Sequence, residues 1–526
     1  MITNETMITD DTLTEGAVDL RQLFGADPAL DHDLRDRIDR LVVSARAATA
    51  AASIPQHLLA DRFAGRLPET GLPPRAYVDT FLNAVLDHAL PVASPRSLAN
   101  MSSVLPGAMP YLAALVTALN QNLVKSEASR ALSLCETQVL AMLHRLVYPG
   151  AGRLPAEPVG VVTTGGTLAN LTALWAARNT ALDEGVEGCS VRRSGLAAAL
   201  ADRGLRGMAV VGPASMHYSF VKAADLLGLG SEGLIRVPLD GSGRIRLDEL
   251  DGALRLCRRQ RRLVLAVVGV AGSTDCGAVD PLPELADRAA AAGAAFHVDA
   301  AWGGPVLMSQ RHRDLLDGIE RADTVTLDGH KQLYAPVGIG LLLFRDPTRA
   351  AAIRHTADYA LRQGSADLGR HSVEGSRPGS AMLLHAALHL LGRQGYEAAV
   401  DRTIALAAML ADRVRRRPEF ELLLPPRLNL VLYRYLPPDL RGVQPADRTP
   451  AEQHRLDRLN EQVHKLQRAA GHALVSRTVW PTPPEGPGQP VLRAVLANPL
   501  TGPADLDAVL DEQVRLGDAL GHPRSS

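Results

Sequence analysis

A lysine stands where a short run of strand-forming residues ends. Lys331 closes the segment Thr324-Val-Thr-Leu-Asp-Gly-His-Lys331, and the chain has only four lysines among its 56 lysine and arginine residues. Lysine can lose its proton and act as an amine nucleophile, whereas arginine stays charged in proteins. The scarcity of lysine therefore favours a chemical role for Lys331, a Schiff base with an aldehyde cofactor. A solvent-exposed lysine at a strand end is the simpler alternative.

A glycine-rich turn precedes this lysine in the chain. The segment Val162-Thr-Thr-Gly-Gly-Thr-Leu-Ala-Asn170 follows a predicted strand and opens a predicted helix. Backbone N–H groups at such a turn form a cradle for an anion, and the threonine hydroxyls add donors. Phosphate is the anion that best suits this cradle. A plain strand–helix turn with a threonine cap, without a ligand, is the alternative.

A carboxylate ends a third predicted strand, in Phe296-His-Val-Asp-Ala-Ala-Trp-Gly-Gly304. An unpaired carboxylate is costly to bury, so Asp299 needs a cation. The protonated ring nitrogen of pyridoxal phosphate is a suitable one, because its charge makes the ring an electron sink. Ala300 and Ala301 leave space beside Asp299 for a flat ring. Helix capping by Asp299 is the alternative.

Two further strand ends carry polar side chains. His217, in Pro213-Ala-Ser-Met-His-Tyr-Ser219, could stack on such a ring, or it could be a structural histidine. Ser273 and Thr274 follow the most apolar strand, at the edge of the sheet where ligands gather in open α/β folds. Phosphate donors, an acid, an imidazole and an amine at one sheet edge together indicate a site for pyridoxal 5'-phosphate.

The composition excludes several other classes of protein. The 526 residues are 46% hydrophobic and 21% charged, with a formal net charge of −1. These values indicate a globular protein of two or three domains and give no electrostatic case for nucleic acid or an acidic membrane. The four cysteines lack metal-site spacing, so we expect free thiols and no bound metal. The N-terminus is acidic and polar, unlike a secretory signal, which favours a cytoplasmic protein.

Two other patterns are interpreted as structural. Gly228-Leu-Gly-Ser-Glu-Gly233 matches the dinucleotide fingerprint but follows a helix and precedes a strand, the reverse of the required order. The basic runs Arg258–Arg262 and Arg413–Arg417 each end a helical pattern, where positive charge suits the helix dipole.

Strands and helices alternate between about residues 155 and 345. Near-continuous apolar strands separated by helices predict a mostly parallel, seven-stranded sheet in an α/β fold. Long helices are predicted over Tyr111–Val147 and 380–416, and Trp480–Pro490 is predicted to be a loop. Strands at Leu428–Tyr435 and Val491–Ala497 indicate a smaller C-terminal α+β domain. The predicted strands of the large sheet are Val159–Thr163, Ala209–Val211, Leu234–Pro238, Leu263–Val270, Ala294–Val298, Thr324–Leu327 and Ile339–Phe344.

The four motifs resemble, in this order, those of the group II pyridoxal-phosphate-dependent amino-acid decarboxylases. That family acts on glutamate, aspartate, cysteine sulfinate, diaminobutyrate and aromatic amino acids. The resemblance covers roughly residues 90–500. It implies the type I, aspartate-aminotransferase-like fold and a homodimer with active sites at the subunit interface. We expect a helical segment (1–100) that packs on the dimer partner, a large cofactor-binding domain (101–396) and a small domain (397–526).

The resemblance also implies roles for single residues. Lys331 would form the Schiff base, His217 would stack on the ring, Asp299 would pair with the ring nitrogen and Ala301 would pack against the ring. The phosphate would be held by Gly165, Gly166 and Thr167 with help from His330, and Thr274 would lie near the cofactor. Arg493 would bind the substrate α-carboxylate, Asn100 would lie near the substrate, and Tyr359 would donate the proton to Cα. Arg377, Arg96 and Asn100 are candidates to bind a side-chain carboxylate of the substrate.

The chain departs from the common family pattern in ways that bear on the substrate. Many members have Asn-Pro-His-Lys where this chain has Asp328-Gly-His-Lys331, and Glu374–Gly379 replaces a common Lys-Leu-Trp stretch. Together with Asn120–Lys125 and Val475–Arg477, these features look similar to a bacterial branch of pyridoxal-dependent aspartate 1-decarboxylases. We therefore expect decarboxylation of an acidic amino acid, aspartate to β-alanine or glutamate to γ-aminobutyrate.

Several alternatives stay open at this point. The substrate could be valine, diaminobutyrate or an aromatic amino acid. The same cofactor could support transamination or decarboxylation-dependent oxidative deamination. A non-catalytic interaction protein on the same scaffold is the alternative from another class, and the joint presence of Lys331, Asp299 and His217 argues against it.

Overall fold

The computed structural model describes residues 28–47, 60, 63, 65–102, 104–150, 152, 158–183, 189–357, 361, 367–480 and 488–521. The chain divides into two compact units, Met1–Pro91 and Val92–Ser526. Within the described ranges of the first unit, the helices with assigned bounds are α1 (Pro28–Ala47), α2 (Pro74–Tyr77) and α3 (Asn83–His88), with a π-helical turn at Val78–Leu82 between the last two. Ion pairs of Arg37 with Asp79 and of Arg75 with Asp33 join α1 to the later helical segment.

The second unit contains two sheets and the helices that cover them. Its elements as far as the end of the large sheet are β1 (Ser97–Leu98), α4 (Met109–Leu119), α5 (Ser126–Ser129), α6 (Ala131–Val147), β2 (Gly160–Thr163), α7 (Gly166–Asp183), α8 (Val191–Ser194), α9 (Leu196–Asp202), β3 (Gly207–Pro213), α10 (Ser219–Leu226), β4 (Leu234–Val237), α11 (Leu247–Arg259), β5 (Arg262–Val270), α12 (Leu282–Ala292), β6 (Ala295–Asp299), β7 (Thr324–Asp328) and β8 (Gly340–Phe344).

The remaining elements of this unit are α13 (Ala381–Arg416), β9 (Phe420–Leu422), β10 (Leu430–Tyr435), α14 (Pro450–Ala470), β11 (Leu474–Trp480), β12 (Gln489–Val495) and α15 (Pro503–Gly521). Helix α13 is kinked at Gly392, whose φ of 58° lies outside the helical region. Short 3-10 turns connect several of these elements.

The large sheet confirms the seven predicted strands. Its order is β2-β8-β7-β6-β5-β3-β4, and β8 is antiparallel to both of its neighbours while the other pairs are parallel. The strands are buried because helices cover them, which explains their near-continuous apolar sequences. The carboxyl ends of β3, β5, β6 and β7 therefore lie along one edge, as the predicted site requires.

The helix predicted over Tyr111–Val147 is interrupted. Helix α4 ends at Leu119, the next residue, Asn120, adopts a left-handed φ of 44°, and α6 begins only at Ala131. Asparagine tolerates this conformation better than most residues, so it can end a helix. The connecting segment pairs with a distant part of the chain, since the amide of Leu123 donates to the carbonyl of Arg377.

The smaller sheet has the order β1-β11-β12-β10-β9 and a separate apolar core. The predicted strands at Leu428–Tyr435 and Val491–Ala497 correspond to β10 and β12. Strands β1, β9 and β11 were not predicted. Trp480 and Pro490, assigned to a loop from the sequence, belong to paired strands, and residues 481–487 lie outside the described residues.

Two smaller predictions are confirmed. Gly228–Gly233 forms a turn from α10 into β4, so it is not a dinucleotide-binding loop. The basic runs lie at the ends of α11 and α13.

Of the helices that the structure describes, none has the length and apolar character needed to cross a bilayer.

Candidate active site

A cavity of about 410 Å³ opens at the carboxyl edge of the large sheet. Nine of the residues predicted for the site line it, although they come from five separate segments of the chain. These are Gly165, Gly166, Thr167, His217, Thr274, Asp299, Ala301, His330 and Lys331. The shared edge of parallel strands brings them together, as predicted.

The glycine-rich turn forms one wall of the cavity. Gly165 has a φ of 147°, a conformation that favours glycine, and α7 begins at the next residue. A Cβ added to Gly166 would lie 2.9 Å from Oδ2 of Asp328, so glycine permits this close approach. The amide and the hydroxyl of Thr167, at this helix N-terminus, are suited to an anion. The amide of Gly166 already donates to Asp328.

Asp328, which was not predicted as a site residue, lies beside the amine of Lys331. Asp328 is 4% exposed, and its Oδ2 lies 3.0 Å from Nζ of Lys331. Its Oδ1 accepts a hydrogen bond of 2.7 Å from the amide of Gly166 and lies 3.6 Å from Nδ1 of His330. One buried carboxylate therefore links the lysine, the glycine-rich turn and the adjacent histidine.

The second carboxylate, Asp299, is 7% exposed and is held by two donors. Its Oδ1 accepts from the amide of Ala301 at 3.1 Å, and its Oδ2 accepts from Nδ2 of Asn170 at 2.9 Å. Because both oxygens accept hydrogen bonds, the carboxylate is fixed in orientation at the cavity wall.

Asn170 is itself held by a buried chain of polar groups. Its Nδ2 also donates to Oγ of Ser219 at 3.0 Å, and its Oδ1 lies 3.1 Å from Nε2 of His297. The other ring nitrogen of His297 lies 2.8 Å from the hydroxyl of Thr324. Burial lowers the pKa of His297 to about 4, so the ring is neutral near pH 7. We infer that Nε2 donates to Asn170 and that Nδ1 accepts from Thr324.

His217 lines the cavity at the end of β3. Its Nδ1 accepts a hydrogen bond of 3.3 Å from the amide of Ser219, and its ring centroid lies 4.2 Å from that of Tyr218. Burial is the main cause that lowers the pKa of His217, and the nearby Asp299 partly opposes this change. A neutral, partly buried imidazole is suited to packing against a flat ring.

Arg493 does not line the cavity but contacts a residue that does. Its guanidinium donates to the carbonyl of Thr274 and, at 2.7 Å, to Oγ of Ser476. Burial lowers the pKa of Arg493, while Asp275 opposes the change, and arginine stays charged nonetheless. The structure therefore places this cation next to the cavity wall.

Of the other predicted substrate residues, those that the structure describes do not line the cavity. Asn100 is absent from its lining, and Tyr359 lies outside the described residues. Arg377 is 6% exposed and pairs with Glu136 at 2.8 Å, away from the cavity lining. Arg96 pairs with Asp505 at 3.2 Å. Both arginines already have carboxylate partners within the chain.

Several lining residues were not predicted as site residues. Asp328 and Asn170 are the most informative, and both were visible within motifs that had been recognised. An acid at the end of β7 beside a lysine was a usable signal for Asp328. No comparable signal identified Asn170, because its contact with Asp299 joins residues 129 positions apart.

The combined geometry could hold a phosphorylated aldehyde with a flat, basic ring. The glycine-rich turn offers phosphate donors, Asp299 offers an anion for a protonated ring nitrogen, and Lys331 offers the amine. Ala301 leaves room at the wall, and the cavity volume is within the range of about 300–1,000 Å³ typical of small-ligand sites. This donor set fits pyridoxal phosphate.

Comparisons with known proteins agree with this chemistry. The model of the pyridoxal-dependent decarboxylase conserved domain matches residues 93–436. Aspartate 1-decarboxylase of Aliivibrio fischeri is 41% identical over 459 residues, which cover 85% of this chain and 84% of that protein. L-2,4-diaminobutyrate decarboxylase of Rhizobium meliloti is 35% identical over 388 residues, 72% of each chain.

A solved structure shows the same fold. The crystal structure of mouse CSAD superposes with a TM-score of 0.82 at 27% identity, and the match covers 94% of this chain and all of the other. The cavity at the carboxyl edge, the family match and the relatives lead to one conclusion. The chain belongs to the pyridoxal-dependent decarboxylase family and is a pyridoxal-phosphate-dependent amino-acid decarboxylase.

Proposed function

We propose that this enzyme decarboxylates an acidic L-amino acid, with aspartate as the preferred substrate and β-alanine and CO2 as products. The single observation that carries the proposal is the similarity to aspartate 1-decarboxylase along most of both chains. Glutamate, which would give γ-aminobutyrate, is the other acidic candidate. The similarity to L-2,4-diaminobutyrate decarboxylase favours that amino acid as a second class of substrate.

We assign the cofactor contacts from the lining of the cavity. Gly165, Gly166 and Thr167 would hold the phosphate with His330, while His217 and Ala301 would pack on the ring and Thr274 would lie beside it. Asp299 would pair with the ring nitrogen, and Lys331 would bind the aldehyde carbon. Pyridoxal phosphate, when bound, supplies an electron sink for the electron pair left behind as CO2 departs.

Asp299 acts by keeping a negative charge beside the ring nitrogen. Donation from Asn170 to Oδ2 and from Ala301 to Oδ1 fixes the orientation of the carboxyl group at the cavity wall. The buried contact from His297 to Asn170 fixes the amide so that its NH2 group faces Asp299. These groups position the charge before substrate arrives, which is the usual source of electrostatic catalysis.

Asp328 acts on the amine of Lys331. The ion pair at 3.0 Å keeps Nζ at the cavity wall whenever that amine is free and protonated. The amide of Gly166 holds the other oxygen, so the carboxylate cannot swing away with the lysine. Asp328 thus restricts where the lysine can deliver or receive a proton.

Arg493 is the proposed ligand of the substrate α-carboxylate. Its bond to the carbonyl of Thr274 directs the guanidinium towards the cavity wall. Orientation of the α-carboxylate matters because the bond that breaks must align with the electron sink. Tyr359 is proposed to protonate Cα afterwards, and Asn100 to lie near the substrate.

Asn100 stays a candidate to bind the substrate side-chain carboxylate, whereas the other two candidates, Arg377 and Arg96, are already engaged within the chain. Each of these arginines pairs with an acid of its own chain, Glu136 and Asp505 respectively. We propose a cytoplasmic homodimer in which residues 1–100 pack on the partner and the active sites lie at the interface. In that assembly the second subunit can complete the pocket.

Product analysis tests the proposed substrate. Purified enzyme with bound cofactor is incubated with each L-amino acid, and CO2, amine, aldehyde and keto acid are measured. We expect β-alanine and CO2 in equal amounts from aspartate, at a higher kcat/KM than from glutamate or diaminobutyrate. Lys331→Ala is the matched control for reactions of free cofactor.

Other outcomes contradict the proposal in distinct ways. Faster amine formation from diaminobutyrate, valine or an aromatic amino acid would refute the acidic substrate but keep the decarboxylase. An aldehyde with consumption of O2 would indicate oxidative deamination, and a keto acid without CO2 would indicate transamination.

A further inference from the structure

A second cavity, of about 570 Å³, lies at the opposite edge of the large sheet. Its lining residues come from the segment that precedes β3, from α11, from the start of β5 and from the second half of α12. Six arginines surround it: Arg203, Arg255, Arg258, Arg261, Arg262 and Arg288. We call this cavity the arginine pocket.

Few of these charges are neutralised. Asp251 is the acidic side chain that lines the pocket among the described residues, and it is engaged by Arg288 through bonds of 2.7 and 3.2 Å. For Arg255, Arg258 and Arg261, no carboxylate in the described part of the chain lies within salt-bridge distance. The pocket therefore carries a strong positive potential.

Two other arginines are fixed by backbone carbonyls. Arg262 donates to the carbonyls of Met208 and Glu232, and Arg203 donates to that of Ala199. In addition, Nη2 of Arg203 is buried and has no hydrogen-bond partner among the described residues. A buried guanidinium nitrogen without an acceptor is unfavourable, and an acceptor from a ligand would satisfy it.

Helix capping does not explain the arrangement. Arg258 lies in the last turn of α11, where positive charge suits the helix dipole. Arg203, Arg261 and Arg288 belong to other segments, yet the fold brings all of them to one concave surface. Like charges that line one cavity repel one another, and a bound anion would offset this repulsion.

The pocket also has an apolar part. Leu205, Leu254 and Leu263 line it beside the arginines. Guanidinium groups bind phosphate through paired N–H donors, and the leucine side chains offer surface to an organic group. The concave shape and the protein's net charge of −1 favour a small ligand over nucleic acid.

We propose that the arginine pocket binds a small organic polyphosphate, a multiply charged anion of nucleotide size. The site is separate from the active site and does not depend on the identity of the amino-acid substrate. Strand β5 joins the two, because Arg262 lines the arginine pocket and Val270 lines the active-site cavity. At about 3.3 Å per residue the two residues lie roughly 26 Å apart.

Calorimetric titration tests the site with ATP and, separately, sodium tripolyphosphate. The protein carries bound pyridoxal phosphate, so that the phosphate cradle of the active site is filled. Arg255→Gln/Arg258→Gln removes two charges from the pocket. The matched control, Arg259→Gln/Arg415→Gln, removes two charges outside it. Circular dichroism verifies that both variants are folded.

We expect ATP and tripolyphosphate to bind the wild type, and the pocket variant to bind at least about tenfold more weakly. The control variant should stay within about twofold of the wild type, because long-range charge is screened by salt. Inorganic phosphate should bind at least tenfold more weakly than tripolyphosphate. Equal losses in both variants, or no binding by the wild type, would overturn the proposal.

Discussion

The two edges of the large sheet differ in how their charged side chains are partnered. At the carboxyl edge, Asp328 pairs with Lys331, and both oxygens of Asp299 accept hydrogen bonds. At the amino edge, six arginines surround a pocket that, within the described part of the chain, is lined by one acid, Asp251. The same β5 strand contributes to both cavities. The carboxylates of the active site are thus held by donors of the chain itself, whereas Arg255, Arg258 and Arg261 have no carboxylate partner among the described residues.

Burial explains why the carboxylates of the first edge must be paired or hydrogen-bonded. Asp299 and Asp328 are less than a tenth exposed, and an unpaired charge at such a depth would cost several kcal/mol, on the order of 3–5. Arg255, Arg258 and Arg261 are exposed, so water and salt reduce their repulsion to a fraction of that cost. A solvent-facing cluster can therefore persist without counter-ions, whereas a buried carboxylate needs hydrogen-bond donors or a cation.

The strongest test of the carboxyl edge removes its amine. Lys331→Ala should lower kcat for CO2 release by about 1,000-fold or more, because both the covalent link and a proton carrier are lost. The cofactor absorbance of the bound aldehyde should shift as well. Lys465→Ala, an exposed lysine on α14, is the control and should keep full activity. Undiminished CO2 release by Lys331→Ala would refute the assignment.

Most of the large sheet could be predicted from the sequence, for a physical reason. Strands buried on both faces have near-continuous apolar sequences, and Leu263–Val270 and Ile339–Phe344 matched β5 and β8 closely. Since parallel strands end at one edge, the grouping of His217, Thr274, Asp299 and Lys331 followed from their positions after strands. For this part of the chain, both the strand arrangement and the position of the cavity residues could be predicted from the sequence.

The smaller sheet was harder to predict. In β11, buried and exposed residues mix along Leu474–Trp480, and β1 and β9 contain two and three residues. Such short strands form because of their pairing partners, and these partners are distant in the chain. Strand β1 pairs with β11 across more than 370 residues. Local patterns cannot encode such pairing.

Long-range polar contacts account for the other differences. Arg377 was a candidate substrate ligand because it is an arginine in an unusual segment, but Glu136 on α6 neutralises it. The link from Asp299 to Asn170 and His297 also joins separate elements. Residue types at strand ends identify a site, whereas its supporting hydrogen bonds depend on tertiary packing.

The pH dependence of stability sharpens the contrast between the edges. His297 behind Asp299 is neutral in the folded protein, with a pKa of about 4, whereas an unfolded histidine has a pKa near 6.5. Between these values the unfolded chain binds more protons, so stability falls as pH decreases from 6.5 to 4, by about 3 kcal/mol for this group. Arginine does not titrate in this range, so the arginines of the arginine pocket contribute nothing to the slope.

The measurement is the melting temperature of the cofactor-free protein from pH 7 to pH 4. His297→Gln should flatten the decline relative to the wild type, even if it lowers the melting temperature at pH 7. His371, whose pKa burial also lowers to about 4, should retain part of the slope, and His371→Gln should flatten it by a similar amount. An unchanged slope in His297→Gln would contradict the neutral, buried state.

The smallest expected effect tests whether the charges of the arginine pocket are truly unbalanced. Without ligand and at low ionic strength, Arg255→Gln should stabilise the protein by about 0.2–0.5 kcal/mol, because it relieves like-charge repulsion. Arg415→Gln, which removes a surface pair with Asp412, should have no effect or the opposite sign. The melting temperature at 20 mM and at 500 mM NaCl measures both, and salt should erase the gain.

Saturating tripolyphosphate should reverse the order of stability of Arg255→Gln and wild type, because a ligand stabilises the form that binds it. If Arg255→Gln is instead destabilising at low salt without ligand, Arg255 has a structural partner, and the two edges do not differ in the way described.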